Sequence, residues 1–472
     1  MPIDPRILQL AQGDGVCLIG PAGCGKTQTI VEAAHAAGGC QLILTHTHAG
    51  VASLRARARK LGVHQDTVFI DTIASWALRY ALSFPKLSGI STTQPIGAQW
   101  QDVYTALAQL LTQRHIKSLI KRSFAGLFVD EYQDCTQTQH ALVMTLANLL
   151  PTRVIGDPLQ SIFTFNQSDP CVTFDTDVFP LFQRLPDLDR PHRWINSGNT
   201  VPGEWLLSIR PAFESEMQID LSGAPVSHIL FTDANALAVC RQHIDSGETV
   251  IAMKQWPKDC HQMTKNLGGV FVSIEAMDCK DWLTTAGKLH TSTGAARARH
   301  LIEACAQCAH VPHNGSSVFS PIIKALAGSA LPSEDQCGGS SALSQAIHAF
   351  VISSSPIAAL NLIQSITKFP GMKIYRRDFW DEMKATFHLL SQESVSIPDA
   401  AWRARNNTRT HGRHLPPMVV STTLLVKGLE CDHGILLDAD SYNGHRPNLY
   451  VAMTRGCKSL TILSKSPVLI LS

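Results

Sequence analysis

The stretch GVCLIGPAGCGKTQTI, residues 15 to 30, decides the fold of this 472-residue chain. Gly20, four further residues, and then Gly25, Lys26 and Thr27 match the pattern G-x-x-x-x-G-K-[ST]. The apolar residues before Gly20 are typical of a short buried strand, and the run after Gly25 is typical of a helix. A glycine-rich turn between a strand and a helix surrounds phosphate oxygens with backbone N–H groups. The stretch therefore predicts the phosphate-binding loop (P-loop) of an α/β fold.

The bulk composition fits a compact chain of more than one domain. Hydrophobic residues make up 44% and charged residues 17%, and 472 residues exceed one ordinary core. The net charge of +2 gives no general attraction for nucleic acid, so any such contact needs local clusters of Lys and Arg. The N-terminus has no signal-peptide pattern, no stretch predicts a membrane span, and the 13 scattered cysteines indicate reduced thiols. We therefore expect a cytoplasmic protein.

A pair of acidic residues follows a second strand-like run, in GLFVDEYQDCTQTQ, residues 126 to 139. Asp130 and Glu131 come directly after this run, at the end of a strand where α/β sheets place their ligands. In a P-loop enzyme, Lys26 neutralises the β- and γ-phosphates of ATP and the Thr27 hydroxyl ligates Mg²⁺. Asp130 suits the coordination of that metal, and Glu131 suits a base for water. A kinase has to exclude water, so the acid pair favours hydrolysis.

From DEYQD onward, residues 130 to 134, the chain resembles superfamily 1 helicases of the UvrD/Rep type, whose motifs follow in the same order. VIGDPLQSIFTF, residues 154 to 165, resembles the third motif of that family. The resemblance implies that Gln160 couples the γ-phosphate to the DNA and that Phe163 and Phe165 stack on bases. A stacked ring stabilises an unpaired base by about 1–3 kcal/mol. Two aromatic residues at this spacing are also typical of a buried strand face.

Three later segments resemble the remaining motifs of the family. LDRPHRWINSGN, residues 188 to 199, resembles the fourth motif and implies that Arg193 contacts the γ-phosphate. STTLLVKGLECDHGILL, residues 421 to 437, resembles the fifth, and NLYVAMTRG, residues 448 to 456, resembles the sixth. The sixth implies that Arg455 is an arginine finger, since a guanidinium can bridge two phosphate oxygens.

The resemblance also implies a set of nucleotide-binding and DNA-binding residues. For the nucleotide these are Gly20, Gly23, Gly25, Lys26, Thr27, Gln28, Gln9, Gln12 and Glu430. For the DNA strand they are Thr45, His46, Thr72, Trp76, Phe163, Phe165, Thr423 and Lys427. His46 can equally be an ordinary loop histidine, and Trp76 can equally be a core residue. Gln9 and Gln12 lie closer to Gly20 than the adenine-reading glutamine of the family, which leaves adenine selectivity open.

The order of the motifs predicts two RecA-like P-loop domains with parallel sheets, each interrupted by a mainly helical insertion. The predicted segments are 1–85 and 121–215 for the first domain, 86–120 for its insertion, 216–284 and 415–472 for the second domain, and 285–414 for its insertion.

Two functions remain open at this level. The first is an ATP- and Mg²⁺-dependent helicase or translocase on single-stranded DNA or a tailed duplex, which the resemblance implies moves 3′ to 5′. The second is a DNA-sensing ATPase that regulates a partner and unwinds little or nothing. The short insertion of residues 86–120 favours it, since compact UvrD-like proteins are helicase subunits beside a nuclease in anti-phage systems such as Gabija. An RNA substrate is also open, because stacking on Phe does not report the 2′-OH.

Overall fold

The computed structural model describes residues 4–93, 95–163, 167–215, 217–274, 280–313, 316–411 and 416–471. Its described residues contain two six-stranded sheets, and every strand pair in both sheets is parallel. This arrangement confirms the predicted fold class of two RecA-like α/β domains. No helix within these ranges has both the length and the apolar character needed to cross a bilayer.

The first sheet has the strand order β3-β2-β4-β5-β1-β6. Its strands are β1 Val16–Ile19, β2 Gln41–Thr45, β3 Val68–Thr72, β4 Gly126–Val129, β5 Thr152–Gly156 and β6 Gln183–Arg184. The helices of this domain are α1 Pro5–Gln12, α2 Lys26–Ala37, α3 His48–Lys60, α4 Ile73–Ser83, α5 Pro85–Ser88, α6 Gln99–Leu110, α7 Arg114–Ser123, α8 Gln137–Ala147, α9 His192–Asn196, α10 Thr200–Ser208 and α11 Arg210–Glu214. Every residue of β1, β2, β4 and β5 is buried, as expected for parallel strands covered by helices on both faces.

The elements of the second sheet lie in two parts of the chain, separated by a helical unit. The first part contains β7 Gln218–Asp220, β8 Ser227–Leu230, α12 Asp233–Gln242, β9 Val250–Met253, α13 Pro257–Asn266 and β10 Val272–Ser273. The helical unit contains α14 Lys280–Thr291, α15 Gly294–Cys308, β11 Ala309–His310, β12 Pro312–His313, β13 Ser316–Ser317, α16 Phe319–Ala327, α17 Ser341–Ser353, α18 Pro356–Thr367, β14 Lys373–Ile374, α19 Arg377–Gln392 and α20 Ile397–His411. It packs around its own apolar core, which runs from Trp282 to Ala401.

The chain then returns to the second sheet. The remaining elements are β15 Met418–Ser421, α21 Thr423–Val426, β16 Cys431–Leu436, α22 Arg446–Met453, β17 Gly456–Ser464 and β18 Val468–Ile470. The second sheet has the strand order β10-β15-β9-β16-β17-β8, and β7 pairs with β18 in a separate antiparallel ribbon. The strands on either side of the helical unit, β10 and β15, are direct neighbours in the sheet. The domain boundaries themselves stay a sequence prediction.

Candidate nucleotide-binding and hydrolysis site

The predicted P-loop lies between the end of β1 and the first turn of α2. Gly23 and Gly25 have left-handed backbones, with φ of 72° and 89°, which glycine adopts without strain. A Cβ atom on Gly20 would lie 2.3 Å from Cγ of Lys26, so this position also needs glycine. The Lys26 ammonium donates to the Gly20 carbonyl at 2.8 Å and thus folds back over the loop. A helix N-terminus beside a lysine ammonium fits a polyphosphate chain.

The acid pair lies at the carboxyl end of β4. Asp130 is 5% exposed, and its backbone N–H donates to the Leu44 carbonyl of the neighbouring strand β2 at 2.8 Å. Glu131 has a left-handed backbone with φ of 54°, a conformation that residues other than glycine adopt only under local constraint. Its carboxylate accepts a hydrogen bond from the Gln133 amide. The other end of that amide accepts from the Asp157 N–H at 3.0 Å, so Gln133 ties the acid pair to the third motif.

The two carboxyl groups titrate differently. Burial and the adjacent Glu131 charge raise the pKa of Asp130 to about 7. Burial opposes ionisation of Glu131 as well, but the charges of Lys26 and Lys427 and the Gln133 hydrogen bond lower its pKa to about 2. Glu131 is therefore the ionised member of the pair at neutral pH and can orient a water molecule.

Lys427 of the second domain reaches into the acidic cluster of the first. Its ammonium lies 2.7 and 2.6 Å from the two carboxylate oxygens of Asp134 and donates to the Gln160 carbonyl at 2.6 Å. It also lies 5.0 Å from the centroid of the Phe163 ring. The side chains of Lys427 and Asp134 are 9% and 6% exposed. Lys427, predicted as a DNA contact, is thus a buried link between the two domains in this structure.

Arg193 places the second domain on the P-loop. Its backbone N–H donates to the Gly23 carbonyl at 3.1 Å. Its guanidinium donates to the Thr454 carbonyl at 2.5 Å and forms an ion pair with the Glu430 carboxylate at 2.8 Å. The buried Nε atom of Arg193 has no hydrogen-bond partner among the described residues. Arg193 therefore joins the P-loop to the segments that resemble the fifth and sixth motifs. The carboxylate of Glu430, which was predicted to bind the nucleotide, is instead paired with Arg193 in this structure.

The position of Arg455 differs from that expected of an arginine finger. Arg455 is 1% exposed, and its guanidinium donates to the Val451 carbonyl at 2.8 Å, the Leu429 carbonyl at 3.2 Å and the Thr454 hydroxyl at 2.7 Å. Burial, together with the nearby Arg193 charge, lowers its pKa to about 9. In this structure Arg455 supports its own domain, and Arg193 contacts the P-loop through its backbone N–H.

A buried network that the sequence reasoning missed lies behind Gln160. The Gln160 amide donates to Asp157 at 2.8 Å, and Arg210 pairs with the same carboxylate at 2.8 and 3.0 Å. Arg210 also donates to the Tyr450 hydroxyl of α22 at 2.6 Å. Asp157 and Tyr450 lie inside the quoted motifs, whereas Arg210 lies outside all of them and carries no sequence signal.

Four of the predicted DNA contacts are buried, and only for Trp76 did the sequence offer a core position as an alternative. Thr45 and Thr72 are 1% and 2% exposed and pair in register at the ends of β2 and β3, and Thr72 also caps α4 by accepting from the Ser75 N–H. Trp76 is 0% exposed and belongs to the core of the first domain. Thr423 is 2% exposed and donates to the Tyr442 hydroxyl. These four side chains can contact a DNA strand only after the protein rearranges around them.

The other predicted contacts are distributed as follows. His46 is half-buried, with its Nε2 atom 3.5 Å from the Cys135 sulfur, and desolvation together with the Lys427 charge lowers its pKa to about 4. Phe163 is half-buried next to Lys427, and Phe165 lies outside the described residues.

The remaining nucleotide candidates lie on α1 and α2. Gln9 and Gln12 are exposed on α1, a helix that Arg153 anchors by donating to the Leu10 and Ala11 carbonyls. Gln28 donates to Glu32 at 2.7 Å and accepts from Arg57, so its amide is already engaged. Thr27 is half-buried in the first turn of α2, and its role as a metal ligand stays a prediction.

Residues 91–177 of the chain match the model of the UvrD/REP helicase N-terminal domain, a segment that contains the acid pair and the third motif. The chain is 25% identical over 156 residues to a subunit of the ATP-dependent helicase/nuclease of Streptococcus thermophilus, covering 33% of this chain and 11% of that protein. It is 36% identical over 77 residues to the subunit of the same name from Levilactobacillus brevis, covering 15% and 6% of the two chains. The chain thus spans only about a tenth or less of the length of these relatives.

Among solved structures, the Pif1 helicase of Candida albicans aligns over 98% of this chain and 94% of its own, with 11% identity and a TM-score of 0.41.

Proposed function

We propose that the chain is an ATP-dependent DNA helicase or translocase of the UvrD/Rep type that moves 3′ to 5′ on single-stranded DNA, since its residues 91–177 match the UvrD/REP helicase N-terminal domain. The observation that carries this proposal is the position of Arg193, which contacts the P-loop at Gly23 and the second domain at Thr454 and Glu430. A nucleotide in the P-loop would lie against both domains. Its hydrolysis would therefore change how the domains contact each other.

Each group of the site has a distinct part in hydrolysis. Lys26 would balance the charge of the β- and γ-phosphates, and Glu131, ionised at neutral pH, would orient the attacking water. Thr27 and Asp130 would hold Mg²⁺, which supplies further charge neutralisation when bound. Arg193 would stabilise the negative charge that develops on the γ-phosphate.

The link from hydrolysis to DNA would run through Gln160. This residue lies between the Asp157–Arg210 pair, the Lys427 ammonium and the segment that leads to Phe163. A change at the γ-phosphate would shift Gln160 and the neighbouring aromatic ring together. Phe163 and Phe165 would then grip and release bases once per cycle.

A second candidate function is a DNA-stimulated ATPase that serves as the sensor of a nuclease-containing complex. Two observations favour it: the relatives are helicase/nuclease subunits, and the predicted insertion of the first domain, residues 86–120, is short. In this function the same cleft closes on ATP and DNA, but the resulting movement activates a partner rather than separating strands.

The two functions are separated by measuring ATP turnover without nucleic acid, with single-stranded DNA and with RNA, followed by strand displacement on one duplex with a 3′ tail and one with a 5′ tail. Stimulation by DNA with displacement supports the helicase. Stimulation without displacement supports the sensor, and displacement only from a 5′ tail contradicts the proposed direction. Absence of stimulation contradicts both functions. Lys258→Ala, which changes an exposed lysine of α13, is the matched control for variants of Lys26.

A further inference from the structure

A cavity of about 250 Å³ opens at the outer edge of the first sheet, far along the strand order from β1 and the P-loop. We call it the edge cavity. It lies between the edge strand β3, helix α4 and helix α7, and six of its lining residues are Phe69, Trp76, Arg79, Tyr80, Phe84 and Phe124. None of these six residues takes part in the hydrolysis site described above.

The walls of the edge cavity are aromatic rings in fixed orientations. The Trp76 and Tyr80 rings are tilted against each other with centroids 4.7 Å apart, and the Phe69 and Phe124 rings meet edge to face at 5.8 Å. Trp76 is fully buried, whereas Tyr80 is only half-buried. The cavity therefore presents aromatic surface to a flat guest.

A guanidinium is held in the wall of the same cavity. Arg79 lies 5.3 Å from the Phe69 ring centroid and pairs with Asp71 at 2.5 Å, while its side chain remains 53% exposed. A guanidinium that is anchored by a buried carboxylate and still partly open to solvent can stack on a base or contact a phosphate.

The segment from Arg79 to Phe124, which supplies most of the cavity lining, is rich in basic residues. Residues 79–124 contain six Lys and Arg residues but one acidic residue, Asp102. Leu119 of α7 lines the cavity, and the exposed Arg122 lies three residues further along, on the same helix face. Lys121 is also exposed on α7. Aromatic rings within a basic surface are the combination by which proteins bind single-stranded nucleic acid without sequence preference. An apolar peptide would not require the surrounding positive charge.

We infer that the edge cavity is an accessory site for an unpaired base of single-stranded nucleic acid, with the adjoining phosphates contacted by Arg79, Lys121 and Arg122. This inference rests on the proposed function for the identity of the polymer. The carboxyl end of β3, where Thr72 was predicted to contact DNA, is three residues from Phe69, or about 10 Å along the strand. A DNA strand that passes this end can continue into the edge cavity.

The test compares binding of fluorescein-labelled oligo-dT by anisotropy in the full-length protein and two sets of variants. Tyr80→Leu keeps an apolar wall but removes one aromatic face, and we expect it to weaken affinity about tenfold, as loss of one stacked base does. Lys121→Ala with Arg122→Ala removes two exposed charges, and we expect the slope of log affinity against log salt to become shallower by about 1.4. The matched control is Lys258→Ala with Lys265→Ala, two exposed lysines of α13, which should leave both quantities unchanged.

A second measurement covers the case in which Tyr80→Leu does not fold. Oligo-dT carrying 5-iododeoxyuridine should photocrosslink to the wild-type protein, within the segment that contains Trp76 and Tyr80. Absence of this crosslink, together with wild-type affinity and salt slope in the Lys121 and Arg122 variant, overturns the accessory site and favours a protein partner for the cavity. If wild-type protein binds no oligo-dT and its ATP turnover is not stimulated, the proposed function fails as well.

Discussion

Arg210 and Asp157 form a doubly hydrogen-bonded ion pair that is buried where the two domains meet. Its two N–O distances are 2.8 and 3.0 Å, and the same guanidinium donates to Tyr450 of the second domain. Since Asp157 also receives the Gln160 amide, the pair connects the third motif to the helix that precedes Arg455.

We predict that Arg210→Met destabilises the protein far more than Tyr450→Phe. The first variant leaves the buried Asp157 carboxylate without its partner, at a cost of about 3–5 kcal/mol. The second removes one hydrogen bond, worth about 1 kcal/mol. Urea unfolding measures both, with the exposed Arg241→Met as control. Similar small losses in the two variants would show that the ion pair is not a structural link.

Lys26→Ala and Glu131→Gln should each reduce ATP turnover at least 100-fold, since each removes a charge directed at the reacting phosphate or water. Only Lys26→Ala should also weaken nucleotide binding, because Glu131→Gln leaves the P-loop intact. Phosphate release and binding of a fluorescent ATP analogue separate the two effects. Turnover retained in either variant would contradict the assignment of the site.

Gly23→Ala should slow ATP hydrolysis by more than the strain of an alanine in the left-handed backbone conformation would cause. A Cβ atom there would lie 2.5 Å from the Trp194 ring, and it would force Arg193 away from the P-loop. Gly223→Ala is the matched control, because Gly223 also has a positive φ, of 78°, but nothing within 4 Å of the added carbon. Both variants carry a strain of about 1–2 kcal/mol. We expect at least a tenfold loss of ATP turnover for Gly23→Ala only.

The Lys427–Asp134 pair should show strong energetic coupling. We expect a double-mutant cycle of Lys427→Met and Asp134→Asn to give a coupling energy of about 2 kcal/mol, as for other groups in direct buried contact. Chemical unfolding of the four proteins provides the measurement, and a coupling near zero would mean that the domains are not joined there. The Lys258→Met variant controls for the loss of a lysine elsewhere.

His46 should make stability depend on pH. Its pKa is lowered from 6.5 to about 4 in the folded protein, so the unfolded chain takes up a proton first as the pH falls. Stability contributed by neutral His46 is present above pH 6.5 and is lost progressively toward pH 4. Between pH 8 and pH 5 the loss amounts to about 2 kcal/mol. His46→Gln should abolish this part of the pH dependence in urea unfolding, and an unchanged profile would contradict the shift.

Local sequence patterns were sufficient for the parallel sheets and the P-loop, because a strand, a glycine-rich turn and a helix follow each other within residues 15–37. Residues brought together from distant parts of the chain were not predictable in this way. Lys427 was expected on DNA, yet its Asp134 partner is 293 positions away. Arg210 lies in no motif, and its contact with Tyr450 appears only when both domains are assembled. The burial of Arg455 likewise depends on packing that no local pattern encodes, whereas a core position for Trp76 was one of the two alternatives that the sequence left open.

The strands β10 and β15 flank the helical unit in sequence and are adjacent and parallel in the sheet. Every parallel pair needs a crossover connection, and here the entire α14–α20 unit serves as that crossover. The unit also has its own core, and its first and last helices pack against each other. Evolution can therefore lengthen, shorten or exchange this module without altering the strand connections of the second sheet.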